Sequence, residues 1–257
     1  MLRSSQMIVM LLVLKNPHSI LAAIRHRSHD VRELRIRNAH PGGVWQEVLQ
    51  AAQQSGIPVV MERGPSKHRS DRTRSPRETE RTGGASAAVR ERKLNSLEEL
   101  LPASDPPPES GLWMALDCLQ DPHNVGAILR SASFFGVRGV ILTKDRSAPL
   151  NATVYDISAG GMEGLRICQV VNLRRALEQA KEAGLWILGT SEHAERDLSE
   201  IERNRPWLIV VGNEQTGMRR LTSEQCDQTC RLTSLGEVDS LNASVAAGAI
   251  LALLSAP

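Results

Sequence analysis

The sequence predicts an α/β protein with a mostly parallel sheet in its C-terminal part and a small α/β unit before it. Three observations carry that reading. Short apolar runs alternate with helix-patterned stretches along most of the chain, as strands separated by crossover helices do. The alternation is interrupted twice, by a basic stretch and by a proline-rich one, which divides the chain. The 257 residues are 41% hydrophobic and 23% charged, enough apolar content for a real core.

The elements follow in order. Residues 7–14 (MIVMLLVL in the run) predict a strand, 16–27 a helix with Ile20, Leu21 and Ile24 on one face, and 31–37 a half-buried strand of alternating character. A helix over 44–54 stops at Gly56, and 57–61 is again strand. From 62 to 93 there are ten basic residues against five acidic ones, a net charge of +5 where the whole chain carries +2. Large apolar residues are almost absent before Val89, so much of this stretch reads as mobile, and as a basic arm suited to RNA phosphates. Residues 101–111 hold three consecutive prolines and predict an extended tether. Beyond it come strands at 112–119, 138–142, 165–171, 185–190, 207–212 and 230–234. Helices fall at 125–135, 152–159, 173–183 and 241–254, with a weaker one at 222–227. The division expected is 1–90 (with 62–84 basic and mobile), a linker over 91–110, and 111–257.

Other classes are excluded. Cys118, Cys168, Cys226 and Cys230 form no CxxC pair and no zinc spacing, so they read as buried free thiols of a reducing cytoplasm, with no metal. The apolar run near the N-terminus is too short to span a bilayer and lacks a small-residue cleavage site, so a soluble, cytoplasmic protein is expected. Aromatic residues make up 3%, which leaves phosphate contacts and shape to dominate any RNA recognition.

In parallel α/β sheets, ligands sit beyond the carboxyl ends of the strands. Three such loops carry chemistry. In the first, a strand runs into DPHN, where Asp121 or Asn124 can cap a helix, and Arg130 follows about 9 Å further along the axis, leaning back toward Asn124. In the second, an apolar strand ends at Gly212 and is followed by Glu214 and Gly217. This is no dinucleotide fingerprint, because a carboxylate at 214 would repel a pyrophosphate, whereas a sulfonium or a hydroxyl would tolerate it. In the third, Ser240 and Asn242 start a helix without a polar face, which should be buried on nearly all sides, including in a subunit interface.

Together, NxGxxxRSA, GxExxG and SLNxS resemble the three motifs of the SpoU/TrmH family of RNA methyltransferases, over 112–254. The connecting segments KDRSAPLNAT, SAGGMEG and LWILGT resemble the family's as well. The N-terminal unit with LNSLEELL resembles the L30e-like RNA-binding domain of the RlmB-type branch, which methylates a guanosine of large-subunit (23S) ribosomal RNA. The resemblance implies a trefoil-knot (SPOUT) fold, S-adenosylmethionine as co-substrate without a metal, ribose 2′-O-methylation, and a homodimer whose site draws on both subunits. It places the cofactor at Gly212, Leu232 and Leu241 with Thr190 nearby, and the substrate ribose and phosphate at Asn124, Arg130, Glu214, Ser240 and Asn242. Asn124 and Glu214 are expected to hold Arg130, which would grip the phosphate and polarise the hydroxyl.

The chain departs from the pattern in three places. Leu232-Thr233-Ser234 stands for the usual Ile-Pro-Met, Ala243 for a valine, and Thr82-Gly83-Gly84 for His-Gln-Gly. Two alternatives remain: a tRNA methyltransferase of the TrmH type, and a non-catalytic RNA-binding or ribosome-assembly factor. The N-terminal unit and the close of the chain soon after the last helix favour ribosomal RNA over tRNA, and the intact motif residues favour an enzyme over a factor. Neither DNA nor a membrane is an expected partner.

Overall fold

In the larger of two sheets every strand pair is parallel, and this decides where the functional loops emerge. The computed structural model describes residues 10–37, 42–62, 85–102 and 108–255. The chain forms two compact units, Met1–Lys93 with Asn151–Glu163, and Leu94–Leu150 with Gly164–Pro257.

The first unit holds a sheet in the order β1 (Leu11–Leu14), β4 (Ser86–Arg90), β2 (Val31–Ile36), β3 (Val59–Met61), with α1 (Pro17–Arg27) packed on α2 (Val44–Gln54). Alternation sets the faces of β1: Leu12 and Leu14 are buried while Leu11 and Val13 are exposed. Strand β4, not among the expected elements, follows directly on the 62–84 stretch read as basic and mobile. It pairs antiparallel with both β1 and β2, with Ala87 and Val89 wholly buried. Two small apolar residues at a spacing of two make a weak signal among charges, and pairing on both sides supplies the rest. Residues 63–84, including Thr82-Gly83-Gly84, lie outside the described residues, as does the predicted start of the first strand.

Helices α5 (Ala152–Ser158) and α6 (Gly161–Gly164) follow in sequence the strands of the second unit, yet Asn151–Glu163 belongs with the first. Its attachment is polar. The Asp156 carboxylate accepts the backbone N–H groups of Lys15 and Asn16, at 3.0 and 2.9 Å, and buried Arg27 grips Glu163 through Nε and Nη2, both at 2.8 Å.

In the second unit the strand order is β7 (Ile167–Val170), β6 (Val140–Thr143), β5 (Gly111–Leu116), β10 (Pro206–Val211), β8 (Trp186–Thr190), β11 (Gln228–Arg231), β9 (Arg196–Asp197). The central strands β5 and β10 are buried almost throughout, as near-continuous apolar runs in a doubly covered parallel sheet should be. The expected linker over 91–110 is in part a structured element. Helix α3 (Leu97–Leu100) has a capping box in which Ser96 and Glu99 bond reciprocally, and Leu100 is buried among Trp113, Ile141 and Leu177. Helices α4 (Pro122–Phe134), α7 (Leu173–Glu182), α8 (Arg220–Ser223) and α9 (Ala243–Leu254) complete the unit, with α9 packed on α4. No helix among the described residues is long and apolar enough to cross a membrane.

Candidate active site

Four strands that are neighbours in the sheet, β5, β10, β8 and β11, deliver their carboxyl ends side by side. Loops far apart in sequence therefore converge. From β5 the chain turns through Cys118, at φ 59, into α4, whose N-cap is Asp121, accepting the His123 N–H at 2.9 Å. Asn124 thus lies inside the first turn of α4 and is buried, 7% exposed.

Asn124 joins the three motifs. Its Nδ2 donates to Glu214 Oε1 at 2.8 Å, and its Oδ1 accepts from Asn242 Nδ2 at 3.0 Å. Asn242 caps α9, its Oδ1 accepting the N–H groups of Ser244 and Val245. The helix therefore begins at Ala243, and the capping side chain is Asn242 while Ser240 is exposed in the preceding loop. One amide thus reads both a carboxylate and a second amide, an arrangement available only to a group with a donor and an acceptor.

Glu214 sits in a hairpin-like loop closed by mutual backbone bonds between Asn213 and Gly217, at 3.0 and 2.9 Å. Asn213, which sequence reasoning missed, organises it. Its Oδ1 accepts the N–H of Gln215 and of Thr216, and its Nδ2 reaches the Cys118 carbonyl at 2.8 Å, linking the second motif to the end of β5. Asp117 and Arg219 were missed too. The fully buried Asp117 carboxylate accepts the Arg219 N–H at 3.0 Å and its Nε at 2.7 Å. Alternating hydrophobicity gives no warning of either, since Asp117 follows an apolar run. Gly212 has no room for a side chain: a Cβ would stand 2.3 Å from both Gly217 C and Met218 N.

A cavity of about 1130 Å³ lies against these strand ends, lined by Thr190, Gly212, Leu232 and Leu241 and also by Glu214, Ser240 and Asn242. Thr190 is tied to β10 by its hydroxyl, which donates to the Val210 carbonyl at 3.0 Å. Asn124 stands behind the wall as the partner of Glu214 and Asn242.

Within one chain Arg130 is exposed on α4, outside the cavity lining, and is hydrogen-bonded to neither Asn124 nor Glu214. Six residues past Asn124 is about 240° around the helix, so the two side chains leave from different faces. Along helix α9, Ala247, Ile250, Leu251 and Leu254 are buried, but Val245 and Leu253 are 54% and 44% exposed, and Phe134 of α4 is 81% exposed, so one chain alone leaves part of this apolar surface uncovered. Among the described residues no cluster of His, Cys, Asp or Glu could hold a metal ion.

The chain is similar to known proteins in sequence and in fold. Residues 111–252 match the SpoU rRNA Methylase family. The chain is 36% identical over 235 residues to the protein of Ralstonia nicotianae named 23S rRNA (guanosine-2′-O-)-methyltransferase RlmB, covering 91% of each. It is 47% identical over 157 residues to the protein of that name from Pseudomonas aeruginosa, covering 61% of this chain and 62% of that one. The crystal structure of the SpoU methyltransferase AviRb from Streptomyces viridochromogenes in complex with the cofactor AdoMet shares the fold. Its TM-score is 0.71 at 22% identity, over 95% of this chain and 89% of that one.

Proposed function

The chain belongs to the SpoU rRNA methylase family, and on that premise we propose that it methylates the ribose 2′-hydroxyl of a guanosine in 23S ribosomal RNA. The observation that carries this reading is the Glu214–Asn124–Asn242 chain of hydrogen bonds, which sets the three motifs around one cavity.

S-adenosylmethionine, when bound, would supply an electrophilic methyl group on a sulfonium, with the neutral thioether as the leaving group. The cavity is large enough for such a molecule. Thr190, Gly212, Leu232 and Leu241 would hold it, and the exposed Glu214 carboxylate suits a cationic donor. Glu214, Ser240 and Asn242 line the side on which the sugar hydroxyl is aligned, and Asn124 fixes the directions of Glu214 and Asn242. Alignment of this kind, with help in removing the hydroxyl proton, is a large contribution to a displacement that needs no metal.

Arg130 grips the neighbouring phosphate and polarises the hydroxyl, since a guanidinium stays protonated at neutral pH and makes a poor base. Its place outside its own chain's cavity fits a homodimer in which it serves the partner's site, with Phe134, Val245 and Leu253 covered at the interface. Replacing Arg130 with Lys tests the role: activity that survives with only an altered pH dependence would mean a planar fork is not required. The first unit, including the basic stretch, docks the RNA, and the protein works in the cytoplasm. Mapping ribose methylation across rRNA and tRNA with and without the protein tests the whole. The expected result is loss of one 23S guanosine methyl, and loss confined to tRNA would overturn it.

A further inference from the structure

The chain from Thr233 to Asn242 is exposed throughout and without secondary structure, yet the whole stretch from Leu232 to Asn242 lines the cavity, Leu232 and Leu241 included. Such a segment needs an anchor to hold those leucines in place. The anchor lies on the edge strand β9, which pairs in parallel with β11, Arg231 opposite Asp197. The Asp197 carboxylate faces two ways. Oδ2 accepts the Thr233 N–H at 3.2 Å and the Thr233 hydroxyl at 2.6 Å, while Oδ1 accepts the Ser199 N–H at 2.9 Å and its hydroxyl at 2.7 Å. One carboxylate therefore fixes the residue at which the loop leaves β11 to the turn after β9. Immediately beyond, the Ser234 hydroxyl donates to the Val238 carbonyl at 2.6 Å and accepts the Gly236 N–H at 3.3 Å, so the fold of the loop propagates from the anchored residue.

We propose that Asp197, acting through Thr233, is a positioning residue that holds the 232–242 loop in the shape that binds the methyl donor. The inference rests on the reading of the cavity as the cofactor site. Asp197 lies outside the cavity lining and touches no reacting atom, so its influence is on how much of the protein is ready to bind. Apparent affinity falls by the fraction of molecules whose loop is competent, and a loop ordered in a tenth of molecules binds tenfold more weakly. Hydrogen bonds to an ionised group are strong enough to make a change of about that size.

The test is titration calorimetry with S-adenosylmethionine on the full chain and on Asp197→Asn, Thr233→Val and Thr233→Ser. Asp197→Asn keeps the Ser199 acceptor but turns an N–H group toward Thr233, and Thr233→Val keeps the shape and loses the hydroxyl. Both should bind about tenfold more weakly, with ligand-free thermal midpoints close to that of the unmodified chain. Combining them should add little, because they break one interaction. Thr233→Ser restores the hydroxyl and should bind within about twofold of the unmodified chain. Unchanged affinity in Asp197→Asn and Thr233→Val, or a Thr233→Ser variant as weak as Thr233→Val, overturns the proposal. Failure of the unmodified chain itself to bind overturns the cofactor reading, and the anchor's role with it.

Discussion

Asn124→Asp replaces the amide that joins the motifs by a carboxylate of the same shape. Asn124 Nδ2 lies 2.8 Å from Glu214 Oε1, so in the variant two carboxylate oxygens face each other at that distance while the bond from Asn242 Nδ2 is kept. At 2.8 Å two unit charges repel by about 1.5 kcal/mol in water and about 6 kcal/mol at an effective dielectric of 20. Position 124 is buried and Glu214 exposed, so the truth lies between those limits. At about 1.4 kcal/mol per pKa unit, the pair should hold one proton with an apparent pKa raised by roughly one to four units above an ordinary carboxylate. Above that value the Glu214 loop is pushed away, and misplacement of about 1 Å costs on the order of 100-fold in rate. Below it a shared proton restores a donor between the two groups. The assay is single-turnover transfer of labelled methyl from S-adenosylmethionine to ribosomal RNA, each rate divided by that of the unmodified chain at the same pH. The variant should be about 100-fold slow near pH 8 and recover substantially toward about pH 5.5. Asn124→Ala, with no proton to share, should be slow at every pH. An Asn124→Asp rate equal to the unmodified one near pH 8, or one that tracks Asn124→Ala throughout, would refute the reasoning.

Three further outcomes are expected. Gly212→Ala should lose donor binding in calorimetry, because its Cβ would stand 2.3 Å from backbone atoms of Gly217 and Met218, and retained affinity would show that the loop yields at no cost. Arg27→Ala should lower the stability of the first unit by about 3 kcal/mol in denaturant unfolding, since it removes both bonds to the buried Glu163 carboxylate and leaves the nearby Arg92 to balance its charge; a loss under about 1 kcal/mol would mean that Arg92 or water takes over. Burial pushes the Cys168 and Cys230 thiols up to about 12 and Cys226 to about 11. Iodoacetamide near pH 8 should therefore leave all three unmodified in the folded protein and label them on unfolding, and rapid native labelling at any of them would contradict that burial.

The match between reading and structure follows the range of the forces involved. Strands β5 and β10 are legible because a strand covered on both faces must be apolar along its length. Helix α7 is legible because Leu173, Ala176, Leu177 and Ala180 repeat at the spacing of one face. Strand β4 and helix α3 escaped notice, because Ala87, Val89 and Leu100 carry little local signal and owe their order to partners far along the chain. The departure at Thr233 was visible as the absence of a proline, but the Asp197 carboxylate that restrains that residue lies 36 positions away.

By itself the sequence determined the layering of the second unit, the three motifs and the chemistry those residue types can perform, since all of these follow from side-chain character and short spacings. Only the tertiary structure decided which groups meet. Asn124 and Asn242 are 118 positions apart, and a strand order that runs β5, β10, β8, β11 brings them to 3.0 Å. It also left Arg130 exposed on α4 and outside this chain's cavity lining, because the pitch of the helix sets the direction in which a side chain leaves it.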